Sequence, residues 1–154
     1  MTTITVKTQA ELDAALAAHG ADWDAEIIID SPGGVWLEVR ATDAADVTAT
    51  GSARVRAFDS ASVYATGSAF VHAFDSATVT ATGSASVRAY DSTTVYSFGS
   101  ARVVAYDSAG VHAYNSATVH AFDSARVVAY NSASVTAHNS ASVRAYGSAH
   151  VAAY

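Results

Sequence analysis

From Val47 to its last residue the chain alternates apolar and polar positions, and the alternation is reset every eight residues. Val opens each octet, from Val47 through Val55 and Val63 to Val151, and Ala follows two residues later, with Ser97 as the one exception. A period of two is strand alternation, in which successive side chains point to opposite faces. Val and Ala are therefore predicted to face inward and the variable residues between them outward. The fourth position is Thr, Phe, Tyr or, once, His138; the fifth is Gly, Asp or Asn; the sixth is Ser from Ser52 to Ser148. Gly, Asp and Asn share a tolerance for left-handed backbone, so the fifth position predicts a corner. Each octet is then one short strand plus one corner. A helix is excluded because a period of eight does not return to one helical face and because Gly and Asn recur within it.

The corner residues set the size of the coil. At steps of sixteen one series runs Gly51, Gly67, Gly83, Gly99, Asn115, Asn131, Gly147, and the other runs Asp59, Asp75, Asp91, Asp107, Asp123, Asn139. A step of twenty-four would mix the two series. Residues stacked on one another share an environment, so a coil holds two strands and two corners. The predicted fold is all-β: a two-sided parallel β-solenoid with 16-residue coils. About seven coils fit between residues 39 and 154, a rod of about 35 Å at roughly 4.8 Å per stacked strand. The constant Ser is expected to form a hydroxyl ladder or to cap a corner amide.

Residues 1–38 read differently, as an N-terminal α/β cap with one short helix. Thr2–Lys7 alternates like a strand, and Thr8 with Glu11 makes a capping box ahead of a helix carrying Leu12 and Leu16 on one face. Gly20 fits the end of that helix. Two strands, Glu26–Ile29 and Val35–Val39, flank the turn Ser31-Pro32-Gly33-Gly34. Trp23, Trp36 and Leu37 are expected to supply the bulk that the repeats lack, and residues 39–45 already form a worn octet that opens the 39–154 solenoid, the two parts making one folded unit. At the other end the sequence closes on Val151-Ala152-Ala153-Tyr154 without a polar capping segment. Its last coil should present an open strand edge. Val143, Tyr146, Val151 and Tyr154 are the residues expected to self-associate there, giving a homodimer through C-terminal ends.

Charge and composition narrow the function classes. There is no cysteine, hence no disulfide framework and no thiolate metal site. The net charge of −6 is uneven: residues 1–46 carry −7 and residues 47–154 carry +1. Neither part is a basic tract of the nucleic-acid-binding kind. The N-terminus lacks the basic and apolar regions of a signal peptide, and no apolar run reaches membrane-span length. The expectation is a protein without membrane or nucleic-acid partners, cytoplasmic by default.

Chemistry-bearing residues recur rather than converge. His72-Ala73-Phe74-Asp75-Ser76 and His120-Ala121-Phe122-Asp123-Ser124 hold the letters of a catalytic triad, but Asp-Ser also recurs without His, as at Asp91-Ser92. No catalytic residue and no cofactor is implied. The column Asp43, Asp59, Asp75, Asp91, Asp107 and Asp123 is the one candidate for a metal, as a row of Ca²⁺ ions. Corner capping is the preferred reading, with Arg56, Arg88, His72 and His120, three residues earlier, offsetting the charge. Aromatic residues form two columns: Phe58, Phe74, Tyr90, Tyr106 and Phe122 on one side, and Phe98, Tyr114, Tyr130 and Tyr146 on the other. Cross-coil stacking accounts for them, and the same ladders could hold a saccharide or a protein partner.

Two segments carry a resemblance. Ala145-Tyr146-Gly147-Ser148-Ala149-His150-Val151-Ala152 is similar to the G-Y-G-S-T-Q-T-A half-repeat of bacterial ice nucleation proteins, and Ala121-Phe122-Asp123-Ser124-Ala125-Arg126-Val127-Val128 looks like its companion half. The resemblance implies a 16-residue β-solenoid with Ser and Tyr ladders, and an ice-ordering face of T-x-T rows. Here the matching segment ends in Val, and Thr48-Ala49-Thr50 and Thr80-Ala81-Thr82 lie at another position of the repeat, interrupted by Tyr64. The expected function is structural, a rigid self-assembling rod; the alternative is a binding module for a saccharide, ice or a protein.

Overall fold

The computed structural model describes residues 1–40 and 46–154. Strand β1 (Thr2–Val6) leads to helix α1 (Gln9–His19), β2 (Ala25–Ile29), β3 (Trp36–Val39), β4 (Asp46–Ala49) and β5 (Arg54–Ala57). From there a four-residue strand begins every eight residues, ending with β16 (Ser142–Ala145) and β17 (His150–Ala153). Even-numbered strands build one parallel sheet, with β1 outside β2, and odd-numbered strands from β3 to β17 build the other. Strands pair at the predicted sixteen-residue step: Val63 with Val79, and Val71 with Val87. The protein is a β-solenoid of about eight turns with a helix at its N-terminal end.

The corner residues do what their letters predict. Asp59, Asp75, Asp91, Asp107 and Asp123 hold φ between 55° and 57°, and Asn115, Asn131 and Asn139 hold 58° to 59°. Gly is required less by crowding than by this backbone: a Cβ at Gly67 would stand 3.4 Å from Gly51, ordinary contact, at φ +63°. Each corner closes with a short turn, as in Ala53 N–H donating to the Thr50 carbonyl at 3.0 Å.

The constant serines depart from expectation. Their side chains are exposed, and no hydrogen bond from their hydroxyls occurs among the described residues. Their contribution is through the backbone: Ser68 N–H donates to the Gly51 carbonyl at 2.9 Å, and Ser76 N–H to the Asp59 carbonyl at 3.0 Å. This carries the coil-to-coil ladder across the corner, where unpaired backbone groups would otherwise accumulate.

Val and Ala meet between the sheets. Val55, Val71, Val103 and Val119 are fully buried, as are the Ala residues two positions on. The seventh-position Ala of each octet, Ala53 to Ala133, also turns inward at the corner and is fully buried. Thr93 takes that place once and lies fully buried with its hydroxyl unpaired, while Ser97, fully buried at the third position of the next octet, donates to the His112 carbonyl at 3.4 Å.

The N-terminal end is closed by α1. Thr8 and Glu11 form the predicted capping box, and Leu12 and Ala15 pack into the core beside Ile27, Ile29 and Leu37. Gln9, which the sequence did not single out, closes the edge of β3: its Nε2 donates to the Glu38 carbonyl at 3.0 Å and its Oε1 accepts from Glu38 N–H at 2.7 Å. One side-chain amide thereby satisfies both backbone groups of a residue on the last strand of the odd sheet. Trp23, expected in the core, is 81% exposed, and Trp36 lies on the outer face of β3, its neighbour Leu37 taking the inward place. Stacking begins ahead of the first recognisable octet: Ile27 pairs with Val47 and Leu37 with Val55, across steps longer than sixteen.

Inside and outside differ sharply at neighbouring positions. Val87 is 1% exposed and Arg88 is on the surface. Val87→Asp is expected to lower the melting temperature by about 10 °C or more, since an unpaired charge enters a core with no polar partner. Arg88→Thr should cost about 3 °C at most. Equal losses in a thermal melt would contradict the assignment of faces.

Candidate functional site

The aspartate column lies along the corner that follows each odd strand. Asp59 N–H donates to Asp75 Oδ2 at 3.2 Å, Asp75 N–H to Asp91 Oδ2 at 3.2 Å, and Asp91 N–H to Asp107 Oδ2 at 3.3 Å. Each of these carboxylates thus caps the corner amide one coil back. Capping of this kind works against a repulsion of roughly 0.9 kcal/mol between unit charges one strand spacing apart in water. At the column's far end Asn139 Nδ2 donates to Asp123 Oδ1 at 3.5 Å, and on the opposite corner Asn131 Nδ2 donates to Asn115 Oδ1 at 3.4 Å. Asp43 lies outside the described residues. No group of three or more His, Asp and Glu side chains comes together among the described residues.

The cations expected to offset the column do not reach it. Arg56 pairs with Glu38 at 3.7 Å, and the Arg88 guanidinium lies over the Phe70 ring at 5.6 Å. Strand side chains stand perpendicular to the sheet, so residues of the outer face point away from the corner. Arg40, 4.0 Å from Asp59, is the nearest cation to the column, and it also lies over the Phe58 ring at 4.8 Å. His72 and His120 make no hydrogen bond to the Asp or Ser of their own octets, so no triad geometry forms.

Both aromatic columns stack as predicted. Phe58, Phe74, Tyr90, Tyr106 and Phe122 follow one another at 5.0–5.3 Å between ring centroids and within 13° of parallel, continuing to His138 and Tyr154. Phe98, Tyr114, Tyr130 and Tyr146 do the same at 4.8–5.2 Å. Below Phe98 that second column consists of Thr50, Thr66 and Thr82, whose hydroxyls donate to backbone carbonyls of the preceding coil at 3.3–3.5 Å.

A third aromatic group was not evident from the sequence. On the outer face of the odd sheet, Trp36 meets His72 at 4.7 Å and Phe70 at 5.7 Å, and Phe70 meets His72 at 5.1 Å. The guanidinium groups of Arg54 and Arg56 lie 5.8 and 5.1 Å from the Trp36 ring. His72 Nε2 is buried beneath this group without a hydrogen-bond partner. Burial of the ring, followed by the nearby charges of Arg88 and Arg56, holds His72 below the usual imidazole range. On the even sheet a shallow recess of about 310 Å³ lies among Glu26, Asp46, Thr48, Tyr64 and Thr80, with Thr48 Oγ1 donating to Glu26 Oε1 at 3.4 Å.

The last coil differs from every coil before it. Strands β16 and β17 each pair on one side only. Val151 is 39% exposed where Val135, one coil earlier, is 2% exposed, and Val143 is half-buried. Tyr146 and Tyr154 end the two aromatic columns with one ring face each open. The chain matches no protein-family model, no curated protein and no solved structure, so function must be argued from these surfaces.

Asp75, Asp91 and Asp107 replaced together by Asn keep a residue tolerant of positive φ and an acceptor oxygen while removing adjacent charges. The melting temperature is expected to rise by several degrees at low salt and by less at 1 M NaCl, where screening acts within about 3 Å. Neither EDTA nor Ca²⁺ should move the wild-type value; a loss in EDTA restored by Ca²⁺ would make the column a metal site. For His72, the unfolded chain binds its proton at a higher pH than the folded one, so stability is full above the ordinary value of 6.5 and declines as acid protonates the unfolded imidazole. Between about pH 7.5 and about pH 5, wild type should lose more melting temperature than His72→Gln. Parallel curves would remove His72 as the cause.

Proposed function

We propose that the protein is a non-enzymatic structural element, a rigid β-solenoid rod that assembles through its last coil. The observation that carries this reading is the inner face of that coil, where Val143 and Val151 meet solvent although their counterparts in earlier coils are buried. An unpaired strand edge beside exposed apolar side chains is a template for strand addition. The opposite end is better closed: α1 covers the core and Gln9 occupies the backbone of Glu38 at the β3 edge, leaving β1 as the outer strand of the even sheet. Like ends therefore meet, and pairing of two copies of this 154-residue chain closes with two-fold symmetry rather than growing indefinitely. The continuous aromatic stacks and coil-to-coil hydrogen bonds support a stiff rod.

A second reading, a binding module, draws on the Trp36, Phe70 and His72 group with its flanking arginines. Ice ordering draws no comparable support. The hydroxyls of Thr50, Thr66 and Thr82 are turned to backbone carbonyls, and Tyr64 and Tyr96 stand out from the even face.

Sedimentation equilibrium at micromolar concentration tests the assembly. The expected result is a dimer for wild type and a monomer for Val143→Asp and Val151→Asp, with the β-sheet circular dichroism spectrum retained. A wild-type monomer, or a dimer indifferent to both substitutions, overturns the proposal.

A further inference from the structure

The arginines of the repeat look scattered along the sequence, but the fold sorts them. Arg54, Arg56, Arg88 and Arg102 all occupy outward positions of odd strands, while the even face receives Arg126 and Arg144. Glu38 is the one carboxylate at an outward position of an odd strand among the described residues. A chain of net charge −6 thus presents one cationic face. Register adds a spacing: Arg56, His72 and Arg88 stack in one column, so the two arginines stand two coils, about 9.6 Å, apart. Between them lie aromatic rings, with Phe70 beside His72 and Trp36 leaning over both.

We propose that this outer face of the odd sheet binds an extended acidic polysaccharide, with Arg56 and Arg88 taking carboxylates of successive disaccharides and Phe70 with Trp36 stacking on the sugar between. A polysaccharide with one uronate per disaccharide carries its carboxylates at about the two-coil distance of this column. Pyranose rings present flat C–H faces that pack on aromatic rings, and guanidinium groups bind carboxylates through paired hydrogen bonds. Arg56 is held by a 5.1 Å approach to the Trp36 ring and by a 3.7 Å pairing with Glu38 between half-exposed groups, and a ligand carboxylate can replace the latter at little cost. His72 is held toward its neutral form and so adds an enclosed ring rather than a third charge. A nucleic-acid strand fits less well. It carries a charge at every nucleotide, and the aspartate column runs along the neighbouring corner, two residues beyond each odd strand. A second copy of the chain, offering exposed Trp23 between Asp22 and Asp24, is the competing occupant, and self-association through the arginines is the result that would reveal it.

The site is independent of end-to-end pairing, since none of its residues lies in the last coil. The test is isothermal titration of the whole chain with a hyaluronan decasaccharide, against a neutral cello-oligosaccharide and an oligo-dT of similar length. Binding is expected for the decasaccharide alone, weakening as salt rises. The double variant Arg56→Gln/Arg88→Gln and the single variant Phe70→Ala should each weaken it by about tenfold or more, with melting temperatures close to wild type. A dimer-deficient Val151→Asp chain should bind as wild type does. No binding of the decasaccharide, equal binding of the neutral sugar, unchanged affinity in both variants, or tighter binding of oligo-dT each overturns the proposal. Arginine-dependent self-association without sugar binding also overturns it and assigns the face to a second copy.

Discussion

In this fold the nearest neighbour of a residue is its own counterpart one strand spacing along the rod. Parallel pairing in strict register fixes Val63 over Val79 and Ala65 over Ala81, and the same step carries through the corners from Gly51 onward. A side chain is therefore acceptable only if it tolerates a copy of itself, or of its close relatives, about 4.8 Å away. Aromatic rings do so by lying parallel, Asn by donating from one amide to the next, and Val and Ala by simple packing. Asp is the difficult case. It is accommodated because the left-handed corner turns a backbone N–H toward the next carboxylate, so a charged group that would repel its neighbour also caps it.

That constraint explains what the sequence revealed. Coil length, corner residues, inward positions and aromatic columns are all periodic, and periodicity survives in a single sequence without any knowledge of distant contacts. The Asp and Gly series alone distinguish a coil of sixteen from one of twenty-four. What escaped was aperiodic. The first coil pairs across irregular steps, so Ala25–Ile29 and Trp36–Val39 did not register as repeat strands. Gln9 and Glu38 are joined across 29 positions with nothing in their spacing to announce it. The arginine partners also lay beyond reach, because outward residues choose among ring faces and carboxylates that depend on neighbouring coils. The serine is a further case: its recurrence was legible, but it is the amide rather than the hydroxyl that pairs.

The two ends solve the edge problem unequally. At the N-terminal end a helix replaces the missing coil and Gln9 supplies, from one side chain, the donor and acceptor that another strand would have offered. At the last coil nothing equivalent covers Val143 and Val151 in this chain. Between the ends the outer faces are released from the demands of folding, since core and corners already fix the register. Such faces are free to vary, and one of them gathers four arginines and three rings.

Two successive octets break the uniformity of the interior. Thr93 buries an unpaired hydroxyl and Ser97 holds a long hydrogen bond, in a core otherwise made of methyl groups. In a stack where each coil touches only its neighbours, stability is a sum of local terms, and a single weak term sets where the stack parts. The buried hydroxyl of Thr93 is one such unfavourable term. A Thr93→Ala substitution, which restores the methyl group found at the other seventh positions from Ala53 to Ala133, removes that term.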